Sequence, residues 1–148
     1  MQEAASSNLA RSIFFMEEKT CIFCKISKKE IPSKVIYEDN AHIAFLDIRP
    51  YTKGHTLVIP KKHYVQFLEL PKKEVSELFA FAQEIGKKLK TALRAQLIFL
   101  SVMGEEVPHT HVHLIPYYGE MPFVMRHEPL DEDLNKVLKE IKEYKEKK

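Results

Sequence analysis

The run His109-Thr110-His111-Val112-His113, continuing as Leu114-Ile115-Pro116, restricts this chain more than any other segment. A side-chain period of two belongs to an extended strand, so the three imidazoles leave one face together, roughly 6–7 Å apart along it. A helix would scatter them around its circumference. The strand therefore offers one face for chemistry, while Val112 and Leu114 turn toward a core on the other. It is preceded by Gly104-Glu105-Glu106-Val107-Pro108, a short loop able to carry a ligand against it.

The rest of the pattern supplies a sheet for that strand. Val35-Ile36-Tyr37 and Ala41–Phe45 read as two strands joined by a tight turn at Glu38-Asp39-Asn40. A loop from Asp47 to Gly54 leads to a strand over His55–Ile59, closed by Pro60. After Pro71, Val75, Leu78, Phe79, Ala82, Ile85 and Leu89 recur at helical spacing and mark a long central helix. Gln96–Val102 and His111–Ile115 are further strands. A second helix from about Asp131 buries Leu134, Val137, Leu138, Ile141 and Tyr144. The expected class is α+β: about five mainly antiparallel strands, a long central helix and a C-terminal helix.

The 148 residues suit one domain, taken as 20–148, behind a flexible extension at 1–19. In that extension the tetrad Ile13-Phe14-Phe15-Met16 is expected to fold back on the domain or on a partner subunit. Lys+Arg of 23 against Asp+Glu of 21 leaves +2, too balanced to suggest nucleic acid as a partner. The lysines at Lys87-Lys88-Lys90 and after Lys136 read as solvated helix faces. No run approaches the length of a membrane span. Met1–Ser12 lacks the apolar centre of a secretory signal.

Both cysteines of the chain lie in Cys21-Ile22-Phe23-Cys24. Such a pair suits a metal knuckle, a redox dithiol or two buried apolar side chains, and points to a reducing cytoplasm. Further ligands for a metal would come from seven histidines, His42, His55, His63, His109, His111, His113 and His127. Spacing alone does not choose among them. A histidine nucleophile at phosphorus needs one free ring nitrogen and a fixed acceptor on the other. His111, flanked by His109 and His113, is the natural central residue for that role. A three-histidine metal site and a polar ladder are the competing readings of the same residues.

Five segments, in order, carry a resemblance: Cys21-Ile22-Phe23-Cys24-Lys25-Ile26, Glu30-Ile31-Pro32-Ser33, Ala44-Phe45-Leu46-Asp47-Ile48, Gly54–His63 and His109–Pro116. Together they resemble the histidine triad (HIT) superfamily of nucleotide-binding hydrolases and transferases, in its zinc-bearing branch, strongest over 21–118. The resemblance implies that His111 attacks the α-phosphate of a nucleoside 5′-phosphate derivative. The substrate would be a phosphoramidate or a dinucleoside polyphosphate, and a nucleotidyl-histidine would then release nucleoside monophosphate. His113 would hydrogen-bond on the phosphate side, and His55 would support the geometry. One structural Zn2+ per chain would sit on Cys21, Cys24, His63 and His109. Phe23, Ile26, Phe45 and Ile48 would flank a purine base, and Asp47 would accept from the ribose hydroxyls. Members usually pair as homodimers.

The chain departs from the family pattern before the triad. The loop is shorter, Glu105 and Glu106 stand where Gln and a hydroxyl residue are expected, and Ser101 is the nearest substitute for an asparagine. Two carboxylates beside a polyanion repel it, which favours a small leaving group such as an amine. Thr110 replaces an apolar residue. Rival readings are a nucleotide-binding or partner-binding protein with little turnover, a nucleotidyl transferase, and a zinc module for nucleic acid.

Overall fold

A computed structural model of the chain describes residues 18–104, 106–120 and 131–145. The tetrad at Ile13–Met16, His127 and Glu105 lie outside the described residues. A 3-10 turn, Glu18–Thr20, leads into helix α1 (Ile22–Ser27). Then come strands β1 (Val35–Glu38), β2 (His42–Leu46) and β3 (Thr56–Pro60), and helix α2 (Lys72–Ala92). Strands β4 (Leu97–Val102) and β5 (Val112–Tyr117) and helix α3 (Leu134–Glu143) complete the chain. The strands form one sheet in the order β1-β2-β3-β5-β4, with every pairing antiparallel.

Alternation along the strands gives the sheet two faces. Ala44, Leu46, Val58, Val112 and Leu114 pack with Leu78, Phe81, Ala82, Ile85 and Leu89 of α2 and with Val137 and Ile141 of α3. Ile43, Phe45, Leu57 and Ile59 face the other way, onto Phe23, Ile26 and the two cysteines. The helices thus take one face, and the short α1 covers only part of the second.

Local chemistry fixes the ends of the elements. Asp133 caps α3 through its carboxylate, which accepts from the Asn135 and Lys136 amides. Gly54 enters β3 at φ +85°, and a Cβ there would come 2.2 Å from Leu93 Cδ1, so the turn that delivers His55 needs glycine.

The α2 stripe read from the sequence packs in the core at Val75, Leu78, Ala82, Ile85 and Leu89 and departs from it at Phe79. Phe81 is buried, whereas Phe79 is half-buried beside Phe67 and a surface groove. Leu78, Phe81, Ala82, Ile85 and Leu89 form the narrower seam that a helix presents to a flat sheet. Tyr144 follows the last turn of α3 and is 37 % exposed, so it belongs to the surface. His55 and His111 each stand one residue before a strand, β3 and β5 respectively.

Candidate active site

The histidines converge where β5 enters the sheet. The His109 amide donates to the Val107 carbonyl at 2.8 Å, and the Thr110 amide and hydroxyl both donate to the Tyr64 carbonyl, at 2.7 and 3.1 Å. Thr110, which stands where an apolar residue is expected, thus ties the triad to the loop after β3. Sheet register then continues with Val58↔Val112 and Leu57↔His113 on one side and Ser101↔His113 on the other. Phe45, Leu57, His113 and Ser101 consequently form one row across four strands. The His111 and His113 rings meet edge to face with centroids 4.9 Å apart.

Backbone groups fix which nitrogen of each ring carries a proton. His111 Nδ1 lies 2.7 Å from the His109 carbonyl, which only accepts, so Nδ1 holds the hydrogen. The His111 Nε2 lone pair is left available for attack. The Tyr51 amide donates to His55 Nδ1 at 3.1 Å, so neutral His55 carries its hydrogen on Nε2. That Nε2 stands 2.9 Å from His113 Nδ1, which must accept. The hydrogen of His113 then resides on its Nε2. One peptide amide, passed through two rings, sets His113 as a donor, and the Tyr51 ring stacks on His55 at 5.1 Å.

Burial keeps these rings neutral. It draws His55 down to about 4, aided by the nearby His111, and draws His113 to about 4, aided by His111 and His55. His111 is lowered by burial, against the pull of the His109 carbonyl, Asp47 and Glu106. No lysine or arginine among the described residues contributes to these three shifts.

A second group of donors lies behind the triad. Cys21 Sγ and Cys24 Sγ each stand 3.4 Å from His109 Nδ1; Cys24 Sγ is 3.2 Å from His63 Nδ1, and the two Nδ1 atoms are 3.2 Å apart. His109 Nε2 donates to the Pro60 carbonyl at 2.8 Å, so its Nδ1 presents a bare lone pair to the cluster. Tetrahedral zinc, with bonds of about 2.3 Å to sulfur and about 2.0–2.1 Å to nitrogen, requires donor separations of roughly 3.3–3.8 Å. The four residues fit that ion closely. Burial and Cys21 push the Cys24 thiol up to about 12, which a dication would reverse.

Asp47, His55 and His113 form the other grouping of metal-type donors among the described residues. It does not suit a cation, because His55 Nε2 carries the hydrogen that the Tyr51 amide forces onto it.

The nucleoside candidates are partly assembled. Phe23 stands edge-on to His111 at 5.1 Å and to Phe45 at 5.6 Å, and Ile26 shares their cluster. Ile48 is 81 % exposed on the adjoining loop. One Asp47 oxygen accepts the Arg49 amide at 2.8 Å, and the other lies 3.6 Å from His55 Nε2. The carboxylate therefore caps a turn and still faces the site. Ser101 is half-buried, and Glu106 is exposed at the rim. Lys61 and Lys62 pair with Glu38 and Glu74 at 3.0 and 4.0 Å. Sequence reasoning missed the Tyr51 amide and the His109 and Pro60 carbonyls, since main-chain groups leave no residue-type signal.

Comparison with known proteins agrees with this fold. The HIT domain family matches residues 28–120. An uncharacterized HIT-like protein of Methanocaldococcus jannaschii is 46% identical over 130 residues, 82% of this chain and 98% of that protein. The adenosine 5′-monophosphoramidase of Saccharomyces cerevisiae is 38% identical over 108 residues, 70% of this chain and 66% of that enzyme. Among solved structures, a HIT-like protein from Bartonella henselae superposes with a TM-score of 0.76 at 33% identity, covering 86% of this chain and 96% of that one. A zinc-bound histidine triad family protein from Mycobacterium smegmatis gives 0.70 at 29%, covering 85% and 93%.

Proposed function

Since the chain belongs to the HIT domain family, we propose that it is a nucleotide hydrolase that cleaves nucleoside 5′-phosphate derivatives at the α-phosphate through His111. The observation that carries this reading is the His111 ring. Its Nδ1 is committed to the His109 carbonyl at 2.7 Å, so Nε2 is an unprotonated nucleophile held in place by packing against Phe23 and His113.

Attack of Nε2 on phosphorus breaks the bond to the leaving group and gives a nucleotidyl-His111. The imidazolium that forms keeps its Nδ1–H on the same carbonyl, which stabilises the charge. Water then cleaves the phosphorus–nitrogen bond and releases nucleoside monophosphate, a proton and neutral His111. His113 Nε2–H donates to a phosphoryl oxygen, and His55 holds it in that tautomer. The Ser101 hydroxyl, in the same cross-strand row as His113, adds a polar contact, and Glu106 stands exposed in the loop before the triad. Phe23, Ile26, Phe45 and Ile48 line a purine, which gives the exposed Ile48 side chain an apolar partner. The free oxygen of Asp47 accepts from the ribose.

Cys21, Cys24, His63 and His109 would hold a structural Zn2+, whose chemistry is to cross-link α1 to the entry of β5. Four protein ligands leave no position for water, so phosphorus chemistry stays with the histidines. Two reduced, buried cysteines suit a cytoplasmic protein. Two copies would pair along β4, a sheet edge on which Leu97, Leu100 and Val102 are exposed. No helix among the described residues is long and apolar enough to cross a membrane.

The reading is tested by release of AMP from adenosine 5′-phosphoramidate and from a diadenosine polyphosphate, with wild type and His111→Ala compared. Loss of the nucleophile should lower turnover by about 10³-fold or more. Tight nucleotide binding without release by the wild type would make the protein a binder; release only onto an added acceptor would make it a transferase.

A further inference from the structure

Thr110 stands between the first two histidines of the triad and is only 3 % exposed. The pairing of β5 with β3 begins at Val58↔Val112, so the segment from His109 to His111 is held by bonds outside that ladder. Two of these come from Thr110. Its amide and its hydroxyl donate to the same Tyr64 carbonyl, at 2.7 and 3.1 Å. Tyr64 is itself anchored. Its hydroxyl donates to Glu74 in the first turn of α2, its ring packs against the core, and Lys62 Nζ lies 5.2 Å from the ring centroid.

The Thr110 amide and the His109 carbonyl belong to one planar peptide group. The N–H of that group is directed to Tyr64, and its C=O accepts His111 Nδ1–H at 2.7 Å. On the reading of His111 as the nucleophile, we propose that Thr110 is a positioning residue for the reaction. By gripping the Tyr64 carbonyl with two donors, it fixes the peptide plane that aims the His111 ring.

One amide bond alone would leave this peptide free to pivot about the N–H···O axis. The second bond runs from the side chain of the same residue to the same oxygen, which closes a small ring and removes that freedom. The demand is greatest after attack, when Nε2 carries phosphorus and the ring is an imidazolium. Its Nδ1–H is then a charge-assisted donor, and the His109 oxygen has to stay in line with it. Donation from the Thr110 amide to Tyr64 also draws electron density onto the His109 oxygen, because linked hydrogen bonds polarise one another. Thr110→Val keeps the β-branched shape and the amide bond and removes only the hydroxyl. The Tyr64 carbonyl keeps one donor in that variant, so no buried polar group is orphaned.

Thr110→Val and Thr110→Ser are compared with wild type in release of AMP from adenosine 5′-phosphoramidate, with kcat and KM measured separately. Solvent exchange of the His111 Nδ1 proton is followed by NMR in the same three proteins. Thr110→Val should lower kcat by roughly five- to twenty-fold, the scale of a small misalignment of a reacting group. KM, melting temperature and metal content should change little, and the Nδ1 proton should exchange faster. Thr110→Ser retains the hydroxyl and should keep most of the kcat and the slow exchange. Unchanged kcat or unchanged exchange in Thr110→Val overturns the proposal. So does a fall in kcat that accompanies lost thermal stability or lost metal, or that appears equally in Thr110→Ser, since Thr110 then serves the fold alone. A wild type that releases no AMP, or a His111→Ala variant that still releases it, overturns the reading of His111 and this proposal with it.

Discussion

A peptide amide decides what two side chains can do in this site. The Tyr51 N–H sets the tautomer of His55, and His55 sets that of His113, so His113 is a donor to the site. Replacement of His55 by Phe removes the partner of His113 Nδ1 and lets the ring turn or change tautomer. Turnover should fall by roughly 10²-fold, the scale of one lost stabilising donor. His55→Gln retains an acceptor for the Tyr51 amide and an N–H for His113, and should recover most of that loss. The same pair governs acid stability. His55 and His113 titrate near 4 in the fold against an ordinary 6.5, so between those values the unfolded chain binds more protons. Stability should be flat above pH 6.5 and decline as pH falls toward 4, and denaturant midpoints should show a shallower decline in His55→Phe. His55 was singled out from sequence by resemblance alone. Its control of His113 was not legible there, because the controlling atom belongs to a main chain that every residue shares.

At the scale of elements, α1 is six residues long and cannot hold itself as a helix. It is kept in place by Phe23, Cys24 and Ile26, buried against β2 and β3, and by the cysteines that meet His63 and His109. The element that supplies Phe23 to the site is thus fastened to the segment that supplies His111. Metal analysis should find one zinc per chain. A chelator strong enough to strip it should lower the melting temperature and reduce nucleotide turnover together, and Cys24→Ser should reproduce both effects without chelator. Loss of turnover with no thermal shift would place the ion in the chemistry instead. The Cys-x-x-Cys spacing was visible in the sequence, but the choice of His63 and His109 among seven histidines required either a family pattern or coordinates.

For the whole molecule, the unresolved demand is the edge of the sheet. β4 pairs with β5 on one side and with nothing described on the other, and Leu97 and Leu100 are 52 % and 48 % exposed. Beside it lies a groove of about 600 Å³ lined by Phe79, Gly86, Ile98 and Leu100. An exposed apolar edge strand next to an apolar helix face is a surface that proteins cover. A second copy presenting the same strand would cover it around a two-fold axis. Sedimentation should therefore report a dimer, and Leu100→Lys should shift it to monomer. A wild type that sediments as a monomer across micromolar concentrations would remove the pairing along β4.

Sequence alone determined the class of the fold and offered the candidate residues for the site. Period-two alternation at His109–His113 points to a strand, realised as β5 from Val112 with His109–His111 leading into it, and the apolar stripe after Pro71 marks a helix on one face of the sheet. The five ordered segments pointed to the family that the comparisons then showed. Tertiary structure decided the rest: the strand order β1-β2-β3-β5-β4, the half-burial of Phe79 against the full burial of Phe81, and the ring hydrogens of His55, His109, His111 and His113. Those properties arise where a side chain meets a main-chain group or a neighbour remote in the chain. Periodicity reports the faces of an element, and only the packed molecule reports what each face meets.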